Sequence, residues 1–414
     1  IDEGPRVTID EMRVTGNRET QEHVILREAR VRLHEPYDEE KVRKIQQRLS
    51  RMGIFSSVGA PELYLIPGPG TGSAPAGGGL LLRVEDGNTN TFDGIVGYAP
   101  SAGTGGEGTF SGIVTISMRN LFGTARRLDI HWQRDGSQSQ EIALQYAEPW
   151  VLDQPVSLSG DFRQRQQDSA YIVRSVDVKA DLLLTESLTV GGAFGHSVTI
   201  PSSTAVVQSV SNSRTITAGI DIRLDTRDDL ISPTSGALYR SGYRIGNKTV
   251  FSFPGQLAIP PTGGSVQKIS VDAELYVESF SRQVLAIGVH GRQITTGRIE
   301  MSDLYRFGGT NTLRGYRENE FLGSRIAWTN TEYRFLLARR SFFYGFFDTG
   351  YYYFPPEVSV ASLQGSPASQ QLKYGYGIGI RLATALGNVG VSIGFGEGDS
   401  FGEGKLHFGL ANEF

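Results

Sequence analysis

The chain has 414 residues, enough for two or three domains, and its formal net charge of −4 gives no indication of nucleic-acid binding. It contains no cysteine, which excludes disulfide bonds and thiolate chemistry. Glycine contributes 52 residues, above its usual share of about 7%, and together with plentiful Ser, Thr, Tyr and Phe it predicts many strands and tight turns.

Two simple membrane and targeting signals are missing from the sequence. No apolar run approaches the roughly 18 residues of a transmembrane helix, although that test does not detect transmembrane barrels, whose strands are half apolar. The chain begins at Ile1 without a charged and apolar leader, as we expect of a mature or trimmed protein.

Residues 1–87 predict a small α+β domain in the order strand–helix–helix–strand–strand. The apolar positions of Val7–Val14 indicate a strand. Helical spacing of apolar residues then predicts helices over residues 20–30 and 38–52, and Asp38 is a suitable N-terminal cap for the second helix.

A stretch rich in Pro and Gly, Pro67–Gly79, interrupts this domain. Such a composition is typical of a flexible linker between domains. A long hairpin loop is the alternative, and we favour it because the apolar run Leu80–Val84 needs a partner strand.

From about residue 91 the hydrophobic pattern repeats every two residues, as in strands that expose two different faces. In Val266–Phe280, for example, apolar residues alternate with Ser, Asp and Glu. Segments of this kind match the ten-residue strands of membrane barrels, and the connections alternate roughly between short and long. We count about sixteen segments, starting near residues 92, 109, 125, 140, 155, 171, 187, 213, 236, 265, 283, 325, 341, 372, 387 and 405.

A soluble β-sandwich or propeller also alternates, so the polar face must decide between these folds. In a soluble fold one face packs into a dry core, where every charge needs a partner, whereas a water-filled lumen tolerates charges. The polar face here is strongly charged, which favours a transmembrane barrel over residues 88–414. Its charged members are Asp161, Arg163, Asp272, Glu274, Arg292, Glu332, Arg334 and Arg381.

Motifs that suggest catalysis or ligand binding lack the required context. Gly398–Gly402 matches G-x-S-x-G, but a strand follows it where a nucleophile elbow needs a helix. Gly103–Gly108 matches G-x-G-x-x-G without a following helix. The six histidines lack the spacing of zinc ligands. We therefore expect no enzyme activity, no metal site and no cofactor.

Several stretches resemble a known family. VTIDEMRVTGN (7–17), LSRMGIFSSV (49–58) and LLLRVED (80–86) resemble one POTRA domain. The later part is similar to the barrel of the BamA/TamA outer-membrane assembly superfamily, which also includes the two-partner secretion transporters. The barrel resemblance rests on NLFGTARRL (120–128), YAEPW (146–150), LDTRDDLISPTSGALY (224–239), GGTNTLRGYREN (308–319), FFDTGYYY (346–353) and the terminal Phe414.

The resemblance implies a fold and a set of site residues. The fold is an α+β POTRA domain followed by a 16-stranded antiparallel transmembrane β-barrel, with a loop at about 294–324 that folds into the lumen. Arg314 of the R-G-[FY] signature would contact Asp348 and Glu332, while Gly315 allows close approach to the wall and Tyr316 adds a stacking face. The mid-barrel D-T-R…P-T-x-G motif corresponds to Asp225, Arg227, Pro233 and Gly236.

A rigid guanidinium fork suits the role that the resemblance gives to Arg314, because it grips carboxylates two at a time and can offset the entropy cost of fixing a long loop. From the residues alone, a surface arginine on a mobile loop remains the alternative.

The resemblance also implies a mechanism at the seam, by which we mean the junction of the first barrel strand (about 92–99) and the last (about 405–414). An edge that opens there would pair with an incoming strand. The expected function is folding and insertion of outer-membrane barrel proteins without nucleotide; the alternative is a polypeptide-translocating pore of the two-partner secretion type. The seam residues are Gly94, Gly97, Phe408, Gly409 and Phe414.

The expected location is the bacterial outer membrane with the POTRA domain in the periplasm. Expected partners are unfolded outer-membrane proteins, the lipid bilayer and an accessory protein at a POTRA sheet edge near Leu80–Val84 or Val7–Val14. Two features depart from the family: there is a single POTRA domain, and Asn412 occupies a position where an aromatic or apolar residue is usual.

Overall fold

The computed structural model describes residues 7–67, 77–99, 109–134, 139–167, 170–202, 210–230, 232–252, 260–338, 340–356, 358, 369–384 and 387–410. Within these residues the chain forms two α-helices, three short 3-10 helices and 23 strands. None of the described helices combines the length and the hydropathy needed to cross a bilayer.

The first domain contains both α-helices and five strands. These are β1 (Thr8–Thr15), α1 (Glu22–Ala29), β2 (Glu35–Pro36), α2 (Glu39–Arg51), β3 (Phe55–Val58), β4 (Glu62–Ile66) and β5 (Gly77–Asp86). Asp38 caps α2 as predicted, since its carboxylate accepts hydrogen bonds from the amides of Glu40 and Lys41 at 2.9 and 3.2 Å. The helices bury Ile25, Ile45 and Leu49 against Leu80 and Leu82 of the sheet.

The sheet of the first domain has β5 at its centre. Met12 of β1 pairs with Leu80 in a parallel ladder on one side, and Leu63 of β4 pairs with Leu80 in an antiparallel ladder on the other. The hairpin from β4 to β5 is therefore confirmed, although residues 68–76 of its loop lie outside the described residues. The prediction that Leu80–Val84 forms a sheet edge is wrong, because the returning strand enters between β1 and β4. The outer strands are β3 and β4 on one side and β1, partly paired with β2, on the other.

A second sheet of sixteen antiparallel strands follows, which confirms the predicted fold class. The chain of strands runs in sequence order from β6 to β23, except that the short pair β17 and β18 forms a separate two-stranded sheet. The strands are β6 (Asn90–Ala99), β7 (Thr109–Leu121), β8 (Arg126–Arg134), β9 (Gln140–Glu148), β10 (Val156–Gln167), β11 (Tyr171–Leu183), β12 (Leu188–Pro201), β13 (Asn212–Asp225), β14 (Gly236–Ser252), β15 (Thr262–Phe280), β16 (Gln283–Thr296), β17 (Tyr305–Phe307), β18 (Phe321–Gly323), β19 (Arg325–Ala338), β20 (Ser341–Phe354), β21 (Ser369–Thr384), β22 (Gly387–Gly396) and β23 (Lys405–Leu410).

The two faces of this sheet differ as the alternation predicts. On β15 the outward residues Ile269, Leu275 and Val277 are exposed, whereas Asp272 between them is buried. Exposed apolar side chains recur on other strands of the sheet, such as Ile378 on β21 and Ile220 on β13. An apolar outer face with a polar inner face is the arrangement of a membrane barrel.

The described residues fall into two compact units. One comprises Ile1–Phe92, Ile116–Asp129 and Gln145–Ser157, and the other comprises Asp93–Thr115, Ile130–Leu144 and Leu158–Phe414. The first unit therefore combines the first domain with the turns that join β7 to β8 and β9 to β10.

Asp86 lies at the end of β5 and binds the segment between β1 and α1. Its carboxylate accepts hydrogen bonds from the backbone amides of Arg18 and Glu19 at 2.6 and 2.8 Å and from the hydroxyl of Thr20 at 2.5 Å. Burial raises the pKa of Asp86, but the bonds from Thr20 and from these amides outweigh it, so the pKa lies below its usual value.

We expect Asp86→Asn to loosen the segment between β1 and α1, because an amide is a weaker acceptor for these donors. A loss of about 1–3 kcal/mol at pH 7 would speed amide hydrogen exchange of residues 17–21 by about tenfold or more. The folded-state pKa is below the unfolded value of about 3.9, so the stabilisation is present above that value and is lost as pH falls through the lower folded pKa.

The measurement is hydrogen exchange of the full chain at pH 7 and below pH 4, corrected for intrinsic rates. The gap between wild type and variant should shrink at the acidic pH. The matched control is Asp10→Asn, whose carboxylate pairs with the exposed ring of His34. A gap that persists unchanged in acid would contradict the assigned role of the Asp86 charge.

Candidate functional site

The candidate site lies in the loop between β16 and β19, residues 297–324, and centres on Arg314. The Arg314 guanidinium donates from Nε and Nη2 to the two carboxylate oxygens of Asp348 at 2.7 and 2.8 Å, and from Nη1 to Glu332 at 2.6 Å. The backbone amide of Arg314 also donates to Asp348 at 3.1 Å. Asp348 on β20 is fully buried, and Glu332 on β19 also accepts from Arg334 at 2.8 Å. The structure thus brings together the three charged residues that the resemblance selects.

The flat face of the Arg314 guanidinium is also covered. Its central carbon lies 3.8 Å from the ring centroid of Phe346, an arrangement that favours a cation over the face of an aromatic ring. The sequence analysis assigned the stacking face to Tyr316, but in the structure Phe346 provides it. The Tyr316 hydroxyl instead donates to the Tyr374 carbonyl at 3.0 Å and accepts from the Glu397 amide at 3.0 Å.

The backbone of the loop passes very close to the inner wall at Gly315. Gly315 has φ +95°, and a Cβ at this position would lie 2.6 Å from the Phe395 carbonyl group. Across from it, a Cβ on Gly375 would lie 1.8 Å from the Arg314 carbonyl oxygen. Glycine is required on both sides of this contact, because any side chain would push the loop away from the wall.

His407 belongs to the site although sequence reasoning did not single it out. The backbone amide of Gly315 donates to His407 Nε2 at 3.0 Å, which requires that nitrogen to be unprotonated. His407 lies on β23, so the loop is bonded directly to the last described strand. The available signal was the alternation of the last strand, which puts His407 on its polar face, but no spacing motif connects it with Arg314.

Apolar side chains pack the loop as a small core. Leu313 is completely buried and Phe307 nearly so, and both pack with Ile326 and Trp328 of β19. Asn330 adds a hydrogen bond from its side-chain amide to the Thr312 carbonyl at 2.7 Å. We call residues 308–318 the loop tip; its described contacts with barrel strands are made to β19, β20, β21, β22 and β23.

A second buried ion-pair cluster holds the start of the same loop. Lys248 on β14 donates to Glu300 at 3.0 Å and to Asp303 at 2.6 Å, and the hydroxyl of Ser211 donates to Glu300 at 2.9 Å. Lys248 and Glu300 are almost completely buried. Nothing in the sequence pattern indicated this cluster, because its members are far apart in the chain and belong to no motif.

The mid-barrel motif forms a turn cluster of its own, and no hydrogen bond or ion pair given for the described residues joins it directly to Arg314. Arg227 donates from Nε and Nη2 to both oxygens of Asp225 at 3.0 and 2.9 Å. Pro233 is buried in the same turn. Gly236 has φ +97°, and a Cβ there would lie 2.3 Å from the carbonyl oxygen of Thr226.

The seam residues are placed at the two ends of the sixteen-stranded sheet. Gly94 and Gly97 lie on β6, while Phe408 and Gly409 lie on β23. Among the described residues β6 pairs with β7 and β23 pairs with β22. Phe414 and Asn412 lie outside the described residues.

The groups of the Arg314 site bind each other, so the chemistry that they offer is positioning of the loop. Within the ranges that the structure describes, no group of three or more His, Asp and Glu side chains is arranged to hold a metal ion. Ser400 belongs to the G-x-S-x-G stretch Gly398–Gly402. It caps the 3-10 helix Phe401–Glu403 by hydrogen bonding to Glu403.

A first α+β domain, a sixteen-stranded antiparallel sheet and an inward loop held by a buried arginine define the class of POTRA-bearing outer-membrane barrels. The family models agree with this class. The Omp85 superfamily domain matches residues 120–414, and the POTRA model, described as the surface antigen variable number repeat, matches residues 7–72. The chain belongs to the Omp85 superfamily, and its place is the outer membrane with the POTRA domain in the periplasm.

Comparisons with individual proteins give low identities over nearly the whole chain. The outer membrane protein assembly factor BamA of Nitratidesulfovibrio vulgaris is 24% identical over 98% of this chain and 50% of its own length, so the chain spans about half of that relative. BamA from Haemophilus ducreyi lacking POTRA domains 1–3 has a TM-score of 0.53 at 15% identity, covering 98% of this chain and 84% of that structure. CdiB from Acinetobacter baumannii has a TM-score of 0.58 at 12% identity, covering 97% and 72%. The two structures show a shared fold.

We expect Arg314→Ala to release the loop tip, because it leaves Asp348 and Glu332 buried without their shared partner. Breaking one side of a buried ion pair costs about 3–5 kcal/mol, so hydrogen exchange of residues 308–316 should accelerate by about a hundredfold or more. Arg314→Lys should recover little of the protection, since an ammonium lacks the fork that binds both oxygens of Asp348. Arg317→Ala, on an exposed residue of the same loop, is the control; equal exchange in both alanine variants would refute the lock.

We expect Lys248→Met to loosen the start of the loop and leave its tip protected. The change removes the cation between Glu300 and Asp303 while keeping an apolar stem of similar length, at a cost of about 3–5 kcal/mol. Exchange should rise in residues 298–306 and stay low in residues 308–316. A rise across both segments would show that the two clusters act as one unit.

Proposed function

We propose that this protein folds outer-membrane β-barrel proteins and inserts them into the membrane, using the seam between β6 and β23 as its working edge. The observation that carries the proposal is the set of contacts of the loop tip. Arg314 binds β19 and β20 through Glu332 and Asp348, and Gly315 binds β23 through His407. The loop tip therefore connects β19, β20 and β23 to one another on the inner face of the sheet and braces the last strand.

A braced last strand is suited to strand templating. An exposed strand edge presents N–H and C=O groups that an incoming strand can pair with. Gly94, Gly97 and Gly409 bring little side-chain bulk to the two edges, so few side-chain contacts need to separate. The process needs no catalytic group and no nucleotide, and its partners are unfolded barrel proteins and the surrounding lipid.

The POTRA domain would receive the client or an accessory protein by adding a strand to its sheet. The suitable edges are the outer strands β4 and β1, because β5 has neighbours on both sides. On β4, Leu63 and Leu65 are exposed, and they would supply apolar contacts to an added strand.

A secretion pore for one polypeptide is the second candidate, and the structural likeness to CdiB fits it. A pore of this kind must move the loop out of the lumen during transport. The buried contacts of Arg314 and Leu313 oppose such a movement, because each would be lost when the loop leaves. The two candidates thus make opposite demands on the Arg314 lock.

Client folding in liposomes distinguishes these functions. The purified protein in liposomes should accelerate the folding of a urea-unfolded outer-membrane barrel, followed by protease protection and by the heat-modifiable gel shift. Arg314→Ala should reduce the rate nearly to that of empty liposomes, because the last strand loses its brace, whereas Arg317→Ala should retain it. No acceleration, with an extended polypeptide entering the vesicles, would support the secretion pore instead.

Crosslinking tests the seam without affecting the rest of the barrel. Since the chain contains no cysteine, a pair introduced on β6 and β23 forms the single possible disulfide. Oxidation should stop client folding and reduction should restore it. Undiminished folding with the seam locked would remove strand templating as the mechanism.

A further inference from the structure

Large apolar side chains are exposed at the end of the sheet where the POTRA domain joins it. Because β6 leaves the first domain and the strands are antiparallel, the turns after β7, β9, β11, β15 and β19 lie at this end. Leu184, Phe280 and Leu337 lie at or beside strand ends, as expected of an interfacial girdle. Phe122 and Leu152 lie within turns instead, and their side chains are 80% and 88% exposed.

The backbone at Phe122 and Leu152 makes their exposure more informative. Their φ values are +56° and +55°, in the left-handed region. This conformation costs a residue with a side chain about 1–2 kcal/mol, and Gly or Asn adopts it more readily. Bulky apolar residues that occupy it in water gain nothing from their exposed side chains. A contact between these side chains and something other than the described part of the protein would explain why apolar residues occupy the two positions.

Both turns are held firmly on their polar side by α1 and the residues before it. Gln21 binds the first turn twice, with its backbone amide on the Gly123 carbonyl and its side chain on the Phe122 carbonyl, each at 2.9 Å. Trp150 in the second turn donates to Glu28 at 2.7 Å. The first domain therefore fixes the two turns while leaving the side chains of Phe122 and Leu152 exposed.

We infer that Phe122 and Leu152 insert into the interfacial layer of the inner leaflet and make a lipid contact for the first unit. The partner is a lipid surface because the turns continue strands whose outer faces are apolar and exposed, as at Tyr146 on β9 and Leu158 on β10. Arg126 directly follows the first turn, and its Nε donates to Glu148 at 2.6 Å, so the charge beside the turns is balanced and the apolar side chains carry the contact. Aromatic and leucine side chains are typical of interfacial membrane contacts.

This contact would tie the first unit to the bilayer beside the first strands of the sheet. It is independent of which client the protein handles, since it depends on the strands spanning the membrane and on the two turns. Failure of the lipid contact would therefore leave the proposed insertase function standing, and the reverse also holds.

Site-directed spin labelling tests the inference on the full chain. The absence of cysteine allows single labels at Phe122→Cys and Leu152→Cys, in vesicles of phosphatidylethanolamine and phosphatidylglycerol. The label accessibilities to oxygen, which concentrates in lipid, and to a water-soluble nickel complex are compared. We expect an oxygen-to-nickel ratio about fivefold or more above that of a label at Leu65→Cys on exposed β4. A label at Ile378→Cys, on the outward face of β21, is the lipid-exposed reference.

Two outcomes would overturn the inference. Ratios equal to that of the Leu65→Cys label would place both turns in water. Protection that appears as protein density in the vesicles increases would assign the surface to a second copy of the chain. If a labelled variant fails the heat-modifiable gel test of folding, Phe122→Trp replaces it, and the wild type is measured beside it because its three tryptophans give a background signal. Lipids brominated near the headgroup should quench the added fluorescence of the variant, and quenching of that added fluorescence by aqueous acrylamide instead would overturn the inference.

Discussion

Hydrogen bonding between neighbouring strands is the constraint on which this structure depends, because the core of a bilayer offers no water to an unpaired backbone. Once the strands pair, their side chains must alternate between lipid and interior, and β15 shows the result with Ile269 and Leu275 outside and Asp272 buried. The same ladder has a first member, β6, and a last member, β23. A function that adds a new strand has to act at one of these two, since every strand between them already has both neighbours.

The interior loop satisfies a related constraint in a different way. A buried guanidinium without partners would be very costly, and the network of Arg314, Asp348 and Glu332 removes that cost by direct bonds. Such networks contribute less net stability than apolar packing, which here comes from Leu313 and Phe307 and is worth about 1.5–3 kcal/mol for each fully buried side chain. The ion pairs therefore mainly determine where the loop tip lies, and the apolar residues keep it there.

Local pattern predicted much of the fold, and non-local pairing limited the rest. Period-two alternation located the sixteen strands, and the spacing of Val42, Ile45 and Leu49 with the Asp38 cap located α2. The placement of β5 between β1 and β4 depends on contacts distant in sequence, so the edge prediction failed. Arg314 was accessible through its motif, but His407 and Lys248 reach the loop from strands that no short sequence window connects with it.

Contacts on each side of the seam hold the two strands that border it. At the start of β6 the backbone is tied down, because Gly87 donates to the Ile54 carbonyl at 2.8 Å and the Thr89 carbonyl accepts from Arg119 at 3.0 Å. On the other side of the seam, the loop tip holds β23 through His407. Neither backbone bond crosses the seam, because one joins the segment before β6 to the first domain and the other joins it to β7. These bonds fix the register of the first strand and the loop tip fixes the last strand, so a strand added at the seam would pair with edges that are already held in place.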